Sequence, residues 1–241
     1  LDTTERPAFA YWLKWATAAL VTSPHAIYRS ELGGDAPNDA GRFELTGYER
    51  ATALAYTFTG APPGHALLND VARGRLDTAE GVQAAAADLV LSDDGATLRA
   101  EAEADLLRFV RQWLGVNSLP NLVRDDARYP GFDDDVKAAM AEELDMFVLR
   151  TLVDDPDGGF ERLLTAPHTY TDERLADFYD FPRSGAPNSF VRTDRPEGWG
   201  LGILALGAVQ TVHAHADSTS PTKRGHLVRE RLLCHSVPPP P

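Results

Sequence analysis

The segment from His213 to His226 contains the densest set of side chains that could do chemistry. His213, His215 and Asp217 lie close together in it, and imidazole nitrogens with a carboxylate are good ligands for zinc, copper or iron. In an extended chain, alternation places His213 and His215 on one face. In a helix they point about 200° apart and cannot chelate one ion. The sequence leaves open a metal site, contact with a haem, or loop histidines hydrogen-bonded to the backbone.

The same segment predicts an anion site. Ser220 followed by Pro221 is a typical helix start, with serine as the cap and proline at the first helical position. The helix dipole then points toward Thr219 and Ser220, where Lys223 and Arg224 could reinforce it. A haem propionate, a substrate carboxylate or a sulfate fits such a site. The alternative is a capped surface helix whose cations offset an acidic body.

Two arginines, Arg29 and Arg224, each lie beside a turn that contains proline. Guanidinium groups at such turns usually tie two segments together through a carboxylate or backbone carbonyls. We therefore predict that at least one of them is buried and paired, with Glu143 and Glu173 as candidate carboxylates. Taken by itself, Glu143 is predicted to lie on the solvated surface, although it directly precedes the apolar residue Leu144.

Composition excludes several classes of protein. The chain has 241 residues with 23 Lys plus Arg and 36 Asp plus Glu, a net charge of 23 − 36 = −13. A nucleic-acid binder needs a basic face, which this composition argues against. No apolar run approaches the roughly 20 residues of a membrane span. A single cysteine, Cys234, excludes an intrachain disulfide and a Cys-rich metal site.

Capped amphipathic runs predict an all-α protein, an irregular multi-helix bundle. The two longest helices are expected near 98–114 and 133–153, and they should pack together through apolar side chains: Phe109, Trp113, Met140, Phe147 and Val148. A long Gly/Pro-rich loop should follow, and then a C-terminal helix leading into a polyproline linker. We predict three parts: an N-terminal helix and connector (1–42), a main helical domain (43–181) and a loop-rich segment with the C-terminal helix and linker (182–241).

Several motifs in a fixed order resemble one family. Gln112-Trp113-Leu114 and the run from Thr169 to Tyr179 resemble a helical domain of unknown function, numbered fifteen-ninety-two, with its small N-terminal companion. The runs Gly202 to Val209, Thr219 to Gly225 and Arg231 to Pro241 resemble the domain that follows it, numbered fifteen-eighty-eight.

The resemblance implies a periplasmic or extracellular bacterial protein with c-type haem on flanking segments, outside this span, or on a partner chain. The lack of an initiator Met and the polyproline end agree with an internal piece of a longer protein. We therefore expect the helical portion of a secreted, cytochrome-associated, redox-linked protein. The family carries no established activity, so neither substrate nor reaction follows. The alternatives are a metal-dependent enzyme using His213, His215 and Asp217, or a non-enzymatic binding or assembly module.

Overall fold

The described part of the protein is mostly helical. The computed structural model describes residues 6–34, 36–38, 40–182 and 189–238. Helices account for 58% of it and strands for 5%, which confirms the mainly helical class. The predicted Gly/Pro-rich loop includes residues 183–188, and the predicted polyproline linker includes 239–241. Both of these stretches lie outside the described residues.

The chain divides into two compact units between Ser92 and Asp93. This boundary falls inside the predicted 43–181 domain. We call the parts on either side of it the first unit and the second unit.

The described part of the first unit contains five α-helices: α1 (Arg6–Val21), α2 (Pro24–Ile27), α3 (Gly47–Thr59), α4 (His65–Ala72) and α5 (Ala79–Val90). Helix α3 begins with a capping box, in which Thr46 and Glu49 exchange side-chain to backbone hydrogen bonds. Hydrogen bonds to the Glu49 carboxylate, led by the one from the Thr46 backbone and joined by those from the Gly33 and Leu32 amides, lower its pKa to about 2. A small core of alanines and leucines joins α3, α4 and α5.

Among its described residues, the second unit contains six α-helices and two short strands. In chain order these are α6 (Ala100–Leu114), α7 (Asp134–Leu149), α8 (Phe160–Thr165), β1 (His168–Thr171), α9 (Glu173–Tyr179), β2 (Val191–Asp194), α10 (Gly207–Val212) and α11 (Pro221–Leu227). Helix α7 lies at the centre of the hydrophobic core of the second unit. Asp133 caps it by accepting a hydrogen bond from the Val136 amide at 2.8 Å. Met140, Leu144 and Phe147 are at most 1% exposed. Because these side chains fix α7 in the core, they also fix where the other side chains of this helix lie.

The aromatic residues of α6 do not lie in the core as predicted. Phe109 is 60% exposed and Trp113 is only partly buried, whereas Val110 and Leu114 are buried. Phe109 and Trp113 stack at 6.2 Å between ring centroids instead, at the edge of the core. Periodicity marks a broad apolar stripe but does not tell which edge of that stripe faces the interior.

The two strands were not predicted. They pair antiparallel, with His168 opposite Asp194 and Thr171 opposite Val191. The hydroxyl oxygens of Thr171 and Thr193 lie 2.8 Å apart inside the protein. Strands this short carry too few alternating positions to be recognised from sequence.

No helix within the described ranges has the combination of length and apolar character needed to cross a membrane.

Candidate functional site

A cleft of about 530 Å³ opens in the second unit between α9, α10, the start of α11 and the loop after residue 122. One side of it is a row of four aromatic residues, Phe132, Phe178, Tyr179 and Trp199, which we call the aromatic wall. Successive ring centroids along this row are 6.1, 6.0 and 6.1 Å apart. The cleft therefore has a continuous aromatic side.

Three arginines, Arg124, Arg128 and Arg224, also line the cleft, and we call them the cationic wall. Arg124 donates to the backbone oxygens of Thr211 and His215. Arg224 Nη1 donates to the Gln210 side-chain oxygen at 2.7 Å. These acceptors hold the guanidinium groups of Arg124 and Arg224 in place but carry no formal charge.

The positive charge of the cationic wall is not cancelled by direct ion pairs. Among residues 6–34, 36–38, 40–182 and 189–238, none of these three arginines forms an ion pair with a carboxylate. Asp177 is the one carboxylate among the cleft-lining residues in this part of the chain. The lining is thus locally positive in a chain with a net charge of −13.

Behind the aromatic wall lies a buried carboxylate, Glu143, at 1% exposure. Its Oε1 accepts a hydrogen bond from the Thr169 hydroxyl, and its Oε2 accepts from the Tyr179 hydroxyl at 2.7 Å and the Gly207 amide at 3.3 Å. The carboxylate therefore joins α7 to β1, α9 and α10. This corrects the prediction that Glu143 lies on the surface.

Burial shifts the ionisation of this group of residues. It raises the pKa of Glu143, although the bonds from Thr169 and Tyr179 and the nearby charge of Arg195 oppose the change. The pKa of Tyr179 is raised well above its usual value by burial and by the Glu143 charge. Tyr179 therefore remains a neutral hydrogen-bond donor to Glu143.

Gly207 makes this arrangement possible. A Cβ at position 207 would lie 1.8 Å from the Tyr179 hydroxyl oxygen. Any other residue would push Tyr179 away from Glu143. Glycine is thus required here by close approach of a side chain.

Three of the four predicted anion-site residues, Thr219, Ser220 and Arg224, line the cleft. The Ser220 hydroxyl caps α11 by accepting from the Lys223 amide at 3.3 Å. Lys223 Nζ donates to the Ala214 oxygen at 3.1 Å. Because the helix start is occupied by its own serine, the arginines are the groups in the cleft best placed to receive an anion.

The predicted metal ligands are not brought together. His213 directly follows the last residue of α10, and its Nε2 lies 2.8 Å from the Leu114 oxygen, while His215 is exposed in the following loop. Asp217 accepts a hydrogen bond from Ser218. In the part of the chain that the structure describes, no group of three or more His, Cys, Asp or Glu side chains is placed to hold a metal ion.

Contacts are described for three of the predicted ion-pair residues, Arg29, Arg224 and Glu143. Arg29 is exposed, and its guanidinium lies 5.2 Å from the centroid of the Tyr56 ring. Arg224 bonds to an amide oxygen, and Glu143 bonds to two hydroxyls and an amide. Glu173 opens helix α9.

Sequence reasoning missed the remaining cleft residues. Arg124 and Arg128 lie in a loop without any motif, and the aromatic wall is assembled from three separate stretches of chain. A signal for Glu143 was present, since it lies three residues after Met140 and four before Phe147. That spacing places it on the same face of α7 as the core residues.

Comparison with family models gives two matches. The model described as PSD4, protein of unknown function (DUF1592), matches residues 45–181, more than half of the chain. The chain belongs to this family. A second model, PSCyt3, protein of unknown function (DUF1588), matches residues 201–241. The order is the one expected from the sequence motifs, and the two names fit a cytochrome-associated family. Comparison with curated proteins and with solved structures found no match.

The cleft of this DUF1592 protein uses both matched segments. Phe132, Phe178 and Tyr179 come from the first, and Arg224 comes from the second. Trp199 lies between them. The two family segments thus form one cleft rather than two separate features.

A buried histidine next to Thr169, which bonds to Glu143, predicts a pH dependence of stability. His168 is 4% exposed, and its Nδ1 has no hydrogen-bond partner within the described ranges. Burial, followed by the positive charge of Arg192, lowers its pKa. The unfolded chain, with a histidine pKa of about 6.5, then binds the proton more readily than the folded protein.

The free energy of unfolding should therefore decrease as the pH falls from about 6.5 toward the lowered pKa of the folded state. Chemical denaturation at a series of pH values measures this. His168→Phe should flatten the curve in that range, because the new ring can pack against Phe147 and Tyr170 without titrating. The control is His215→Phe, in the exposed loop, which should retain the dependence. An unaltered slope in His168→Phe contradicts the prediction.

Proposed function

We propose that this protein is the helical, ligand-binding portion of a secreted, redox-linked protein, and that its cleft binds an organic anion. The observation that carries the proposal is the cationic wall: three guanidinium groups line an aromatic cleft, and none of them forms an ion pair with a carboxylate of the described residues. In the whole protein, c-type haem on flanking segments or a partner chain would act on the bound anion. The family names support the association with a cytochrome.

Charge and geometry favour a carboxylate as the recognised group. Guanidinium groups bind carboxylates through short, charge-assisted and often bidentate hydrogen bonds. One nitrogen of Arg224 donates to the Gln210 side-chain oxygen, and Arg124 donates to two backbone oxygens, so the directions of both guanidinium groups are largely fixed before a ligand arrives. Such preorganisation reduces the entropy lost on binding.

The test is calorimetric titration of the full chain with benzoate and with benzamide, a neutral molecule of nearly the same shape. Benzoate should bind one molecule per chain, and benzamide should bind more weakly by at least about tenfold. Arg128→Gln and Arg224→Gln should each raise the Kd for benzoate about 10-fold to 100-fold, since a hydrogen bond to a charged group contributes about 1.5–3 kcal/mol.

The matched control is Arg108→Gln. Arg108 is a partly exposed arginine on α6 that pairs with Asp105, and it is not among the cleft-lining residues. This variant should bind benzoate as the unmodified chain does. Equal affinity for benzoate and benzamide, or unchanged affinity in both cleft variants, would contradict the proposal.

A further inference from the structure

The proposed function leaves open what the anion is attached to, and the aromatic wall addresses this. We infer that the ligand is an aromatic carboxylate, a planar ring bearing a carboxylate directly or on a short linker. This inference rests on the proposed function, because the carboxylate is the group that the cationic wall would bind.

The aromatic wall consists mainly of ring surface. Phe132 and Phe178 have no polar atoms in their side chains, and the Tyr179 hydroxyl is used by Glu143. The planes of neighbouring rings are tilted by 45° to 57°, so the row offers both faces and edges to the cleft. Aromatic rings prefer offset or edge-to-face contact with another ring. A planar ligand ring can make contacts of this kind with the wall.

The wall is also held in place before binding. Tyr179 is anchored by its hydrogen bond to the buried Glu143. Trp199 packs edge-to-face against the buried Phe181, at 4.6 Å between centroids, while remaining 45% exposed itself. The exposed part of the Trp199 side chain is thus surface that a ligand can cover without rearranging the protein.

The size of the cleft agrees with this class of ligand. About 530 Å³ lies within the range of roughly 300–1,000 Å³ typical of small-molecule sites. A simple inorganic anion would occupy little of that space and would leave the aromatic wall uncovered. A ring with a carboxylate uses both walls at once.

Two comparisons test the ligand class. Benzoate should bind about 3-fold to 10-fold more tightly than cyclohexanecarboxylate, which has the same charge and similar size, because ring-to-ring contact adds to the burial of apolar area. 2-Naphthoate should bind more tightly than benzoate, since its second ring covers more of the wall. Calorimetric titration of the full chain measures all three.

Variants connect this preference to the wall. Trp199→Leu and Phe178→Leu should each reduce the ratio of the affinities for benzoate and cyclohexanecarboxylate toward one. In both variants, Arg224→Gln should still weaken the binding of benzoate. Two variants are used so that a folding defect in one does not decide the outcome. Trp12→Leu, at a 69% exposed position in the first unit, is the control and should keep the ratio.

The outcomes separate this inference from the proposed function. If cyclohexanecarboxylate binds as tightly as benzoate and the arginine variants still weaken both, the aromatic inference is overturned and the anion site stands. If neither compound binds, both are overturned. A preference for the ring that disappears in the two wall variants and persists in Trp12→Leu supports the inference.

Discussion

Replacement of Glu143 by leucine should lower the free energy of unfolding by about 3 kcal/mol or more. The Thr169 hydroxyl, the Tyr179 hydroxyl and the Gly207 amide would lose their acceptor inside the protein. Each buried donor left without an acceptor costs about 1–3 kcal/mol. Denaturant unfolding followed by circular dichroism measures the loss.

Two controls make this prediction specific. Glu142 is the neighbouring, exposed glutamate on α7, and Glu142→Leu should change stability by only about 0.5 kcal/mol. Glu143→Gln keeps an oxygen for Tyr179 and Gly207, and its amide can donate to the Thr169 oxygen. We expect it to be much less destabilising than leucine. Equal losses for Glu143→Leu and Glu142→Leu would contradict a structural role for the network.

Glu143→Gln should also change the response to pH. Because the pKa of Glu143 is raised in the folded protein, the unfolded chain releases the proton at a lower pH than the folded one. Stability contributed by this group therefore falls as the pH rises from the ordinary glutamate range through the raised value. The glutamine variant should lack that component.

Phe147→Ala should be comparably destabilising, by about 3–5 kcal/mol, the usual range for truncating a buried phenylalanine. Its ring is fully buried. The ring centroid lies 6.0 Å from the centroid of the His168 ring and 5.6 Å from the guanidinium carbon of Arg195. Phe109→Ala is the matched control, because Phe109 is 60% exposed. The control should lose far less free energy of unfolding in the same denaturation experiment. Similar losses at both positions would contradict the described core.

The helices could be predicted from local signals, whereas the packing of their faces could not. Ser220 caps a helix as predicted, and Asp133 caps the helix that was expected near 133–153. Which edge of the α6 stripe is buried depends on neighbours far away in the chain. Trp113 illustrates this, since its indole nitrogen donates to the Arg231 oxygen across 118 residues of sequence.

The candidate site was predictable only where it coincides with a local motif. Ser220 and Arg224 stood out because a Ser-Pro helix start precedes two cations. Arg124 acquires its place from the carbonyls of Thr211 and His215, more than 80 residues later. No pattern within its own loop signals that. The spacing of the histidines predicts a shared metal site. However, α10 ends at Val212, and His213 bonds to the Leu114 oxygen instead of sharing a ligand set with His215.

The most direct test of the central claim, that the cleft binds an organic anion, is a crystal structure of the protein with 4-iodobenzoate, in which anomalous scattering locates the iodine. We predict one main iodine position in the cleft, with the carboxylate within about 2.7–3.2 Å of a nitrogen of Arg128 or Arg224 and the ring against Phe178 and Trp199. Crystals of Arg224→Gln grown and soaked in the same way should show a much weaker signal. A strong iodine peak elsewhere with an empty cleft, or a carboxylate turned away from the arginines, would contradict the account.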